Sequence, residues 1–272
     1  MQYSSVVHFQ ARVLIGVLFA ASAAATVVVA PEPAEAAVLS EQDKKAILAK
    51  ADEIWKKREE PAALAESKRL LDQGLAAAPS DYDFLWRSAL WHFWCSDDPK
   101  RPQDERIKLA KTGWDIAERA VAVNPAGVQG HFFAAAAMGN YSLGIGILRA
   151  LAQRIEGKFT GHLREAEKID PKYGHGGIPL AWGRYYASLP WPKYDKKKAT
   201  ANYQRALTMN PHNVRAKVYW AELLLEEDDP EAAKKLIDEA LAAQPGKYDA
   251  PEERRAKALA PEVAAKVAAA LK

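Results

Sequence analysis

The sequence predicts an all-α fold, a superhelix (solenoid) of about four helical hairpins with terminal capping helices. The clearest evidence is the segment 211–245, which begins and ends with prolines 34 residues apart. Small residues occur where the two helices of one hairpin would touch, at Ala221, Ala233 and Ala240. A fixed period, bounding prolines and small residues at the helix contacts together are typical of stacked two-helix repeats.

The same pattern of prolines and small residues recurs toward the N-terminus. The residue five places before each proline is Gly or Ala, and ten places after each of the first four it is Ala. Closely packed helices need small side chains at these points, because even one extra methylene group would force the helices apart and destabilise the contact. The pattern predicts tetratricopeptide (TPR)-like hairpins that close near residues 79, 125, 171, 211 and 245. The small residues are Gly74, Ala120, Ala166, Ala206 and Ala240 before the prolines, and Ala89, Ala135, Ala181 and Ala221 after them.

The proline spacings of 46, 46, 40 and 34 residues indicate insertions in the earlier repeats. Residues 95–102 and 189–195 contain two prolines each, which predicts irregular connections. In the second of these connections the two prolines flank Trp191. Residues 139–148 are instead apolar and rich in glycine, so we expect them to extend the first helix of their hairpin and to let another surface approach closely.

Helix start signals mark both ends of the repeat region. Ser40 is expected to cap the first helix, and Pro61 to occupy the first turn of the second, so that these two helices form a first hairpin. Pro251 and Pro261, each followed by an acidic residue, predict two further helices. Arg255 stands where the earlier repeats have Ala, and we interpret these last helices as a capping pair.

The first 36 residues are expected to be an export signal. Arg12 precedes the apolar run 13–30, and Ala34-Glu35-Ala36 fits the small-x-small pattern of signal peptidase cleavage. The alternative is an uncleaved anchor, because the run approaches the ~20 residues that span a bilayer. We therefore expect residues 37–272 to be a single TPR-like domain in the periplasm or otherwise exported, with membrane contact only through an uncleaved N-terminal segment.

Composition and motif spacing give no support for chemistry. The 38 Lys and Arg against 35 Asp and Glu do not suggest a nucleic-acid partner. Cys95 is the only cysteine, which excludes an internal disulfide and a cysteine metal cluster. His92 shares a helix face with Cys95, but no orienting acid or oxyanion hole is evident nearby, and the other histidines lack metal-ligand spacing. The sequence predicts a protein that is not an enzyme, without catalytic residues, metal site or cofactor.

Aromatic residues crowd the predicted first helices, which line the concave surface of a TPR superhelix. Some must be core, because successive hairpins bury their faces on each other, while others can give rigid binding area. Arg184 would anchor a ligand carboxylate or pair with a neighbouring acid. The glycine-rich segment 173–177 is either a flexible loop or part of a binding site. The candidate ligand or partner groove consists of Trp86, Trp94, Tyr141, Trp182, Arg184, Tyr186, Trp191 and Trp220.

One stretch carries a more specific pattern. Gly183-Arg184-Tyr185-Tyr186 is followed by Leu189-Pro190-Trp191-Pro192 and then by the closing segment 206–211, Ala-Leu-Thr-Met-Asn-Pro. This pattern, within the segment 81–245, resembles the T-component family of TRAP (tripartite ATP-independent periplasmic) transporters. The resemblance implies a non-catalytic periplasmic accessory that pairs with a substrate-binding protein and holds a hydrophobic small ligand. The alternative is a general TPR scaffold that mediates protein–protein interaction in the cell envelope.

Overall fold

A computed structural model describes residues 39–272, which belong to one compact unit and contain thirteen α-helices and no strand. The predicted export segment lies outside the described residues. None of the described helices is long and apolar enough to cross a membrane. The helices are α1 (Glu41–Trp55), α2 (Pro61–Ala77), α3 (Tyr82–Ser96), α4 (Gln103–Val123), α5 (Val128–Ile145), α6 (Ile147–Ala152), α7 (Ile155–Ile169), α8 (Gly177–Ser188), α9 (Lys196–Met209), α10 (Val214–Glu226), α11 (Pro230–Ala242), α12 (Ala250–Lys257) and α13 (Ala260–Ala270).

The helices pack as successive hairpins. Four hairpins, α3 with α4, α5 with α7, α8 with α9, and α10 with α11, follow the initial pair α1 and α2. Helices α12 and α13 then pack against α10 and α11. This arrangement confirms the predicted all-helical repeat superhelix with additional helices at both ends.

Small residues lie at the helix contacts, as the pattern predicts. Eight of the nine positions are buried, and the ninth, Ala181, is half-buried. Gly74 shows why size matters: a methyl group placed there would overlap the ring of Phe84, which is fully buried in α3. The distance between helices is therefore set by the absence of side-chain atoms at these positions.

Three hairpins, which close at Asn124, Asp170 and Asn210, end with the same hydrogen bonds, which explains the polar residue before their prolines. The backbone N–H of Asn124 donates to the carbonyl of Ala120 at 2.9 Å, and that of Asp170 to Ala166 at 3.0 Å. The side-chain oxygen of the polar residue then accepts the backbone N–H two residues later, at 3.2 Å for Asn124 and 2.9 Å for Asp170. The polar side chain thus satisfies a backbone donor of the turn that follows the helix.

The insertions differ in structure. Helix α5 is 18 residues long and includes most of the apolar insertion, as expected. It ends at Gly146, whose φ of +90° favours glycine, and the remaining residues begin the short helix α6. Residues 97–102 and 189–195 form connections between helices, the first shorter than expected because α3 continues to Ser96.

We expect Gly183→Ala to destabilise the protein although alanine favours helices. A Cβ atom at Gly183 in α8 would lie 2.6 Å from the ring of Tyr203, which is fully buried in α9. The overlap should lower the free energy of unfolding by about 1–3 kcal/mol. The matched control is Gly161→Ala in α7, where the added methyl group meets nothing within 4 Å. This variant should have a free energy of unfolding about 0.5–1 kcal/mol higher than that of the unmodified protein. Urea unfolding of both variants measures the difference, and equal midpoints would refute the close approach.

Candidate functional site

A cavity of about 330 Å³ lies among the first helices of the hairpins. Helices α3, α5, α8 and α10 contribute to its wall, together with α6, the start of α7 and residues of the C-terminal part of the chain. This volume falls at the lower end of small-molecule sites in proteins. The lining residues are Leu90, Phe93, Asp97, Phe132, Phe133, Ala135, Ala136, Gly139, Asn140, Ser142, Leu143, Ile147, Ala150, Leu151, Ile155, Glu156, Phe159, Gly174, His175, Gly177, Leu180, Ala181, Arg184, Tyr185, Ser188, Leu189, Asn213, Arg215, Tyr219, Tyr248, Asp249 and Glu252.

Most of the wall is apolar. The rings of Phe159 and Tyr185 stack with centroids 5.3 Å apart, and those of Phe132 and Phe133 meet edge to face at 5.3 Å. Between these aromatic side chains, α5 presents the small residues Ala136 and Gly139 to the cavity. The cavity is open at this point because the face of helix α5 that lines it carries small residues.

One part of the wall is charged, and its charges are paired. The Arg215 guanidinium binds Asp97 at 2.9 Å and Glu252 at 2.6 Å, and its Nη1 donates to the Tyr219 hydroxyl at 3.1 Å. Burial alone would lower the pKa of Arg215, but Asp97 and Glu252 outweigh it and hold that pKa well above its ordinary value. Burial raises the pKa of the Glu252 carboxyl. The arginine is therefore a permanent buried cation that needs both carboxylates.

Contacts across long sequence separations join the two ends of the superhelix next to this charged wall. The buried Arg58 donates to Asp249 at 2.5 and 2.6 Å across 191 residues. Arg255 of α12 donates to the backbone carbonyl of Trp94 at 2.5 Å. We call these residues the closing cluster, because they connect the first two hairpins with α10 and α12: Arg58, Asp97, Arg215, Asp249, Glu252 and Arg255.

Of the eight predicted groove residues, Arg184 alone is among the cavity-lining residues. Its guanidinium donates to Glu222 at 2.8 Å and lies 4.4 Å from the centre of the Tyr219 ring. The structure thus shows the pairing with a neighbouring acid that the sequence offered as one alternative. Arg184 Nε is buried and has no protein hydrogen-bond partner among the described residues.

The other seven predicted groove residues do not line the cavity. Trp94 is buried between the guanidinium groups of Arg58 and Arg255, 4.3 and 3.2 Å from its ring centre. Trp182 is buried and donates through its indole N–H to Glu167 at 3.0 Å. Trp191 is 89% exposed. The remaining four are half-buried and pack against core clusters: Trp86, Tyr141, Tyr186 and Trp220.

The glycine-rich loop belongs to the cavity wall. Gly174, His175 and Gly177 line the cavity, which agrees with the second of the two readings of this segment. Gly176 has φ +87°, and a methyl group there would come within 2.9 Å of the Ala206 carbonyl oxygen. The sequence did not single out the aliphatic and phenylalanine side chains of the wall, because apolar residues on a first helix look the same whether they face a cavity or the core.

The described residues contain no group of three or more His, Cys, Asp or Glu side chains arranged to hold a metal ion. Burial raises the pKa of the Cys95 thiol to about 11, so it is not ionised near neutral pH. The structure does bring together two histidines that look unrelated in sequence: His131 Nδ1 lies 3.0 Å from His162 Nδ1. His131 Nε2 lies 2.9 Å from the Pro125 carbonyl oxygen, and burial lowers the pKa of His162. His162 Nε2 in turn lies 3.4 Å from a Glu118 carboxylate oxygen, so the two rings form a line of polar contacts between the Pro125 carbonyl and that carboxylate.

Comparison with known proteins supports the repeat architecture. The family model described as Tetratricopeptide repeat matches residues 195–259. The crystal structure of a thermophilic TPR protein in Thermus thermophilus superposes with a TM-score of 0.59 over 81% of this chain and 98% of that chain, at 19% sequence identity. The chain has a tetratricopeptide-repeat fold.

Two further comparisons concern the N-terminal half and the chain as a whole. The family model described as Regulator of microtubule dynamics protein 1-3 matches residues 47–176, just under half of the chain. No curated protein matches the chain. Neither family model that matches describes a TRAP transporter component.

Proposed function

We propose that the protein is a non-enzymatic TPR scaffold of the cell envelope that binds a protein partner at the inner face of its superhelix. The observation that carries this proposal is the apolar cavity lined by the first helices of successive hairpins. First helices are the surface that TPR-like repeats use for recognition, and a preformed apolar concavity with few polar groups is a typical binding site. The wall suits an apolar side chain or short apolar segment of the partner.

The chemistry of the cavity supports binding over catalysis. The charged side chains Arg215, Asp97 and Glu252 in the cavity wall form ion pairs with one another. Cys95 lies in a core cluster with Trp91 and Trp94, where its thiol is not ionised near neutral pH. Buried charges that are mutually paired hold a structure together and are poorly placed to transfer protons.

A second candidate is an accessory of a periplasmic solute transporter, which would bind a substrate-binding protein and hold a hydrophobic small ligand. The resemblance of residues 183–192 to the TRAP T-component pattern motivates this candidate, and the size of the cavity favours it. A volume of about 330 Å³ is large enough for a small organic molecule. In this candidate Arg184, whose Nε has no partner among the described residues, is the group best suited to bind a carboxylate.

Site-specific photo-crosslinking in the native cells tests the scaffold. A benzoylphenylalanine at Ser142, which lines the cavity, should capture one protein that the same group at the exposed Lys234 of α11 does not capture. Equal capture at both positions, or none at either, would refute recognition at the inner face.

Native mass spectrometry of the purified chain separates the two candidates. A reproducible added mass that organic extraction removes would support the small-ligand accessory. An empty cavity together with capture of a partner at Ser142 would support the scaffold alone.

A further inference from the structure

Two apolar side chains are far more exposed than the other large hydrophobic residues of the described chain. Trp191 is 89% exposed and Leu148 is 74% exposed, while the next values are 45% for Leu143 and Val123. We propose that Trp191 and Leu148 belong to a surface that docks on an anionic phospholipid bilayer. This proposal concerns the outside of the protein and holds whether or not the cavity contains a ligand.

The two residues lie in segments that border the cavity. Trp191 is in the connection between α8 and α9, and Leu148 is in α6. An ion pair between Lys193 and Glu156 ties that connection to the start of α7, directly after α6. Neighbours of both residues in sequence line the cavity wall: Leu143, Ile147, Leu151 and Leu189. We call residues 143–158 and 188–198 together the rim.

The rim is strongly basic, unlike the chain as a whole. It contains seven Lys or Arg residues and two carboxylates, a formal net charge of +5, whereas the whole chain carries +3. Two of these cations pair with carboxylates outside the rim, Lys158 with Glu118 and Lys196 with Glu227. Arg149, Arg154 and Lys197 are exposed and form no ion pair with any described residue. The basic residues are Arg149, Arg154, Lys158, Lys193, Lys196, Lys197 and Lys198.

This combination fits a bilayer better than it fits a protein surface. The cores of protein interfaces are depleted in lysine, whereas four lysines follow Trp191, the most exposed side chain of the rim, within seven residues. Tryptophan is enriched at membrane interfaces, where its ring sits at the level of the headgroups. Cations beside an anionic leaflet each contribute about 1 kcal/mol of attraction. An exposed tryptophan between two prolines, followed by four lysines, therefore matches an interfacial anchor.

Vesicle flotation tests the proposal on residues 39–272, which lie within one compact unit. The apolar run 13–30 is left out because it would bind vesicles by itself. We expect the protein to float with vesicles of phosphatidylcholine plus phosphatidylserine and to stay in solution with phosphatidylcholine alone. Trp191→Ser combined with Leu148→Ser should reduce the partition coefficient about tenfold or more. Raising the salt concentration should weaken binding of the unmodified protein.

The matched control is Leu241→Ser combined with Leu271→Ser, which removes two side chains that are 37% and 39% exposed on other helices. This control should bind the anionic vesicles as the unmodified protein does. Unchanged circular dichroism melting curves would show that both double variants are folded. Equal binding to both kinds of vesicle, or undiminished binding by the rim variant, would overturn the proposal. So would loss of a crosslinked protein partner in the rim variant without any vesicle binding by the unmodified protein.

Discussion

Arg215→Met is expected to lower the free energy of unfolding by about 3–5 kcal/mol, because it leaves two carboxylates without their buried cation. Asp97 and Glu252 lie 2.9 and 2.6 Å from the Arg215 guanidinium. Asp97 directly follows α3 and Glu252 lies in α12, so these ion pairs connect α10 with both helices. The methionine keeps most of the volume of the side chain and removes only its charge and hydrogen bonds. For a domain of this size the melting temperature should fall by roughly 6–12 °C at the lower bound of that energy.

The control for this prediction is Lys234→Met, which removes the same charge from the exposed pair with Asp238. It should change the free energy of unfolding by less than about 0.5 kcal/mol, since surface ion pairs contribute little. Urea unfolding of both variants makes the comparison. If Arg215→Met is no less stable than Lys234→Met, the closing cluster does not hold the two ends of the superhelix together.

The loss in free energy of unfolding that Arg215→Met causes should also depend on pH. Burial already raises the pKa of Glu252 above its ordinary value in the native protein, and loss of the arginine removes the main opposing influence. A carboxyl whose pKa is higher in the folded than in the unfolded state favours folding at low pH and loses that contribution as the pH rises through its folded pKa. The variant should therefore be closer to the unmodified protein at pH 5 than at pH 7.5. An equal deficit at both values would contradict the assignment to Glu252.

Gly139→Phe is expected to abolish binding of an apolar probe in the cavity, with a loss of affinity of about 100-fold, or about 2.7 kcal/mol. Gly139 lines the cavity on α5, and a Cβ atom there would meet only Phe159, at an ordinary contact distance of 3.7 Å. The phenyl ring therefore has room to enter the cavity and fill it without a clash with the backbone. Fluorescence titration with Nile red measures the affinity.

Gly161→Phe is the matched control, because a Cβ atom at Gly161 meets nothing within 4 Å and this residue does not line the cavity. This variant should bind Nile red as the unmodified protein does. Neither variant should lower the melting temperature, since Phe forms helices more readily than Gly and neither added Cβ atom makes a close contact. Equal loss of binding in the two variants, or no loss in Gly139→Phe, would show that the probe binds elsewhere.

Much of the architecture was readable because local signals and repeat signals agree. Ser40 accepts the backbone N–H of Asp43 at 3.1 Å as a helix cap, and Pro61 begins α2, as the sequence predicts. The small residues five places before each proline are buried, since their spacing reflects a helix contact that recurs in every hairpin. Such signals are visible in sequence because they depend on residues close together in the chain.

The candidate binding surface was much harder to predict. Trp94 and Arg184 lie on similar first helices, yet one is sandwiched between guanidinium groups in the core and the other faces the cavity. The contact between Arg58 and Asp249 spans 191 residues and has no counterpart in the repeat pattern. Which aromatic side chain meets the cavity depends on contacts between residues far apart in the chain, and no local pattern records these.

The sequence by itself determined the all-helical class, the hairpin repeat and most helix ends of the described chain, because period, caps and prolines act over a few residues. Only the tertiary structure decided that the two ends of the superhelix meet, that Arg215 is held between Asp97 and Glu252, and that α5 leaves a cavity beside Gly139. The reason is physical: burial, charge pairing and empty volume are properties of residues brought together from distant parts of the chain, and they follow from the sum of all hairpin contacts.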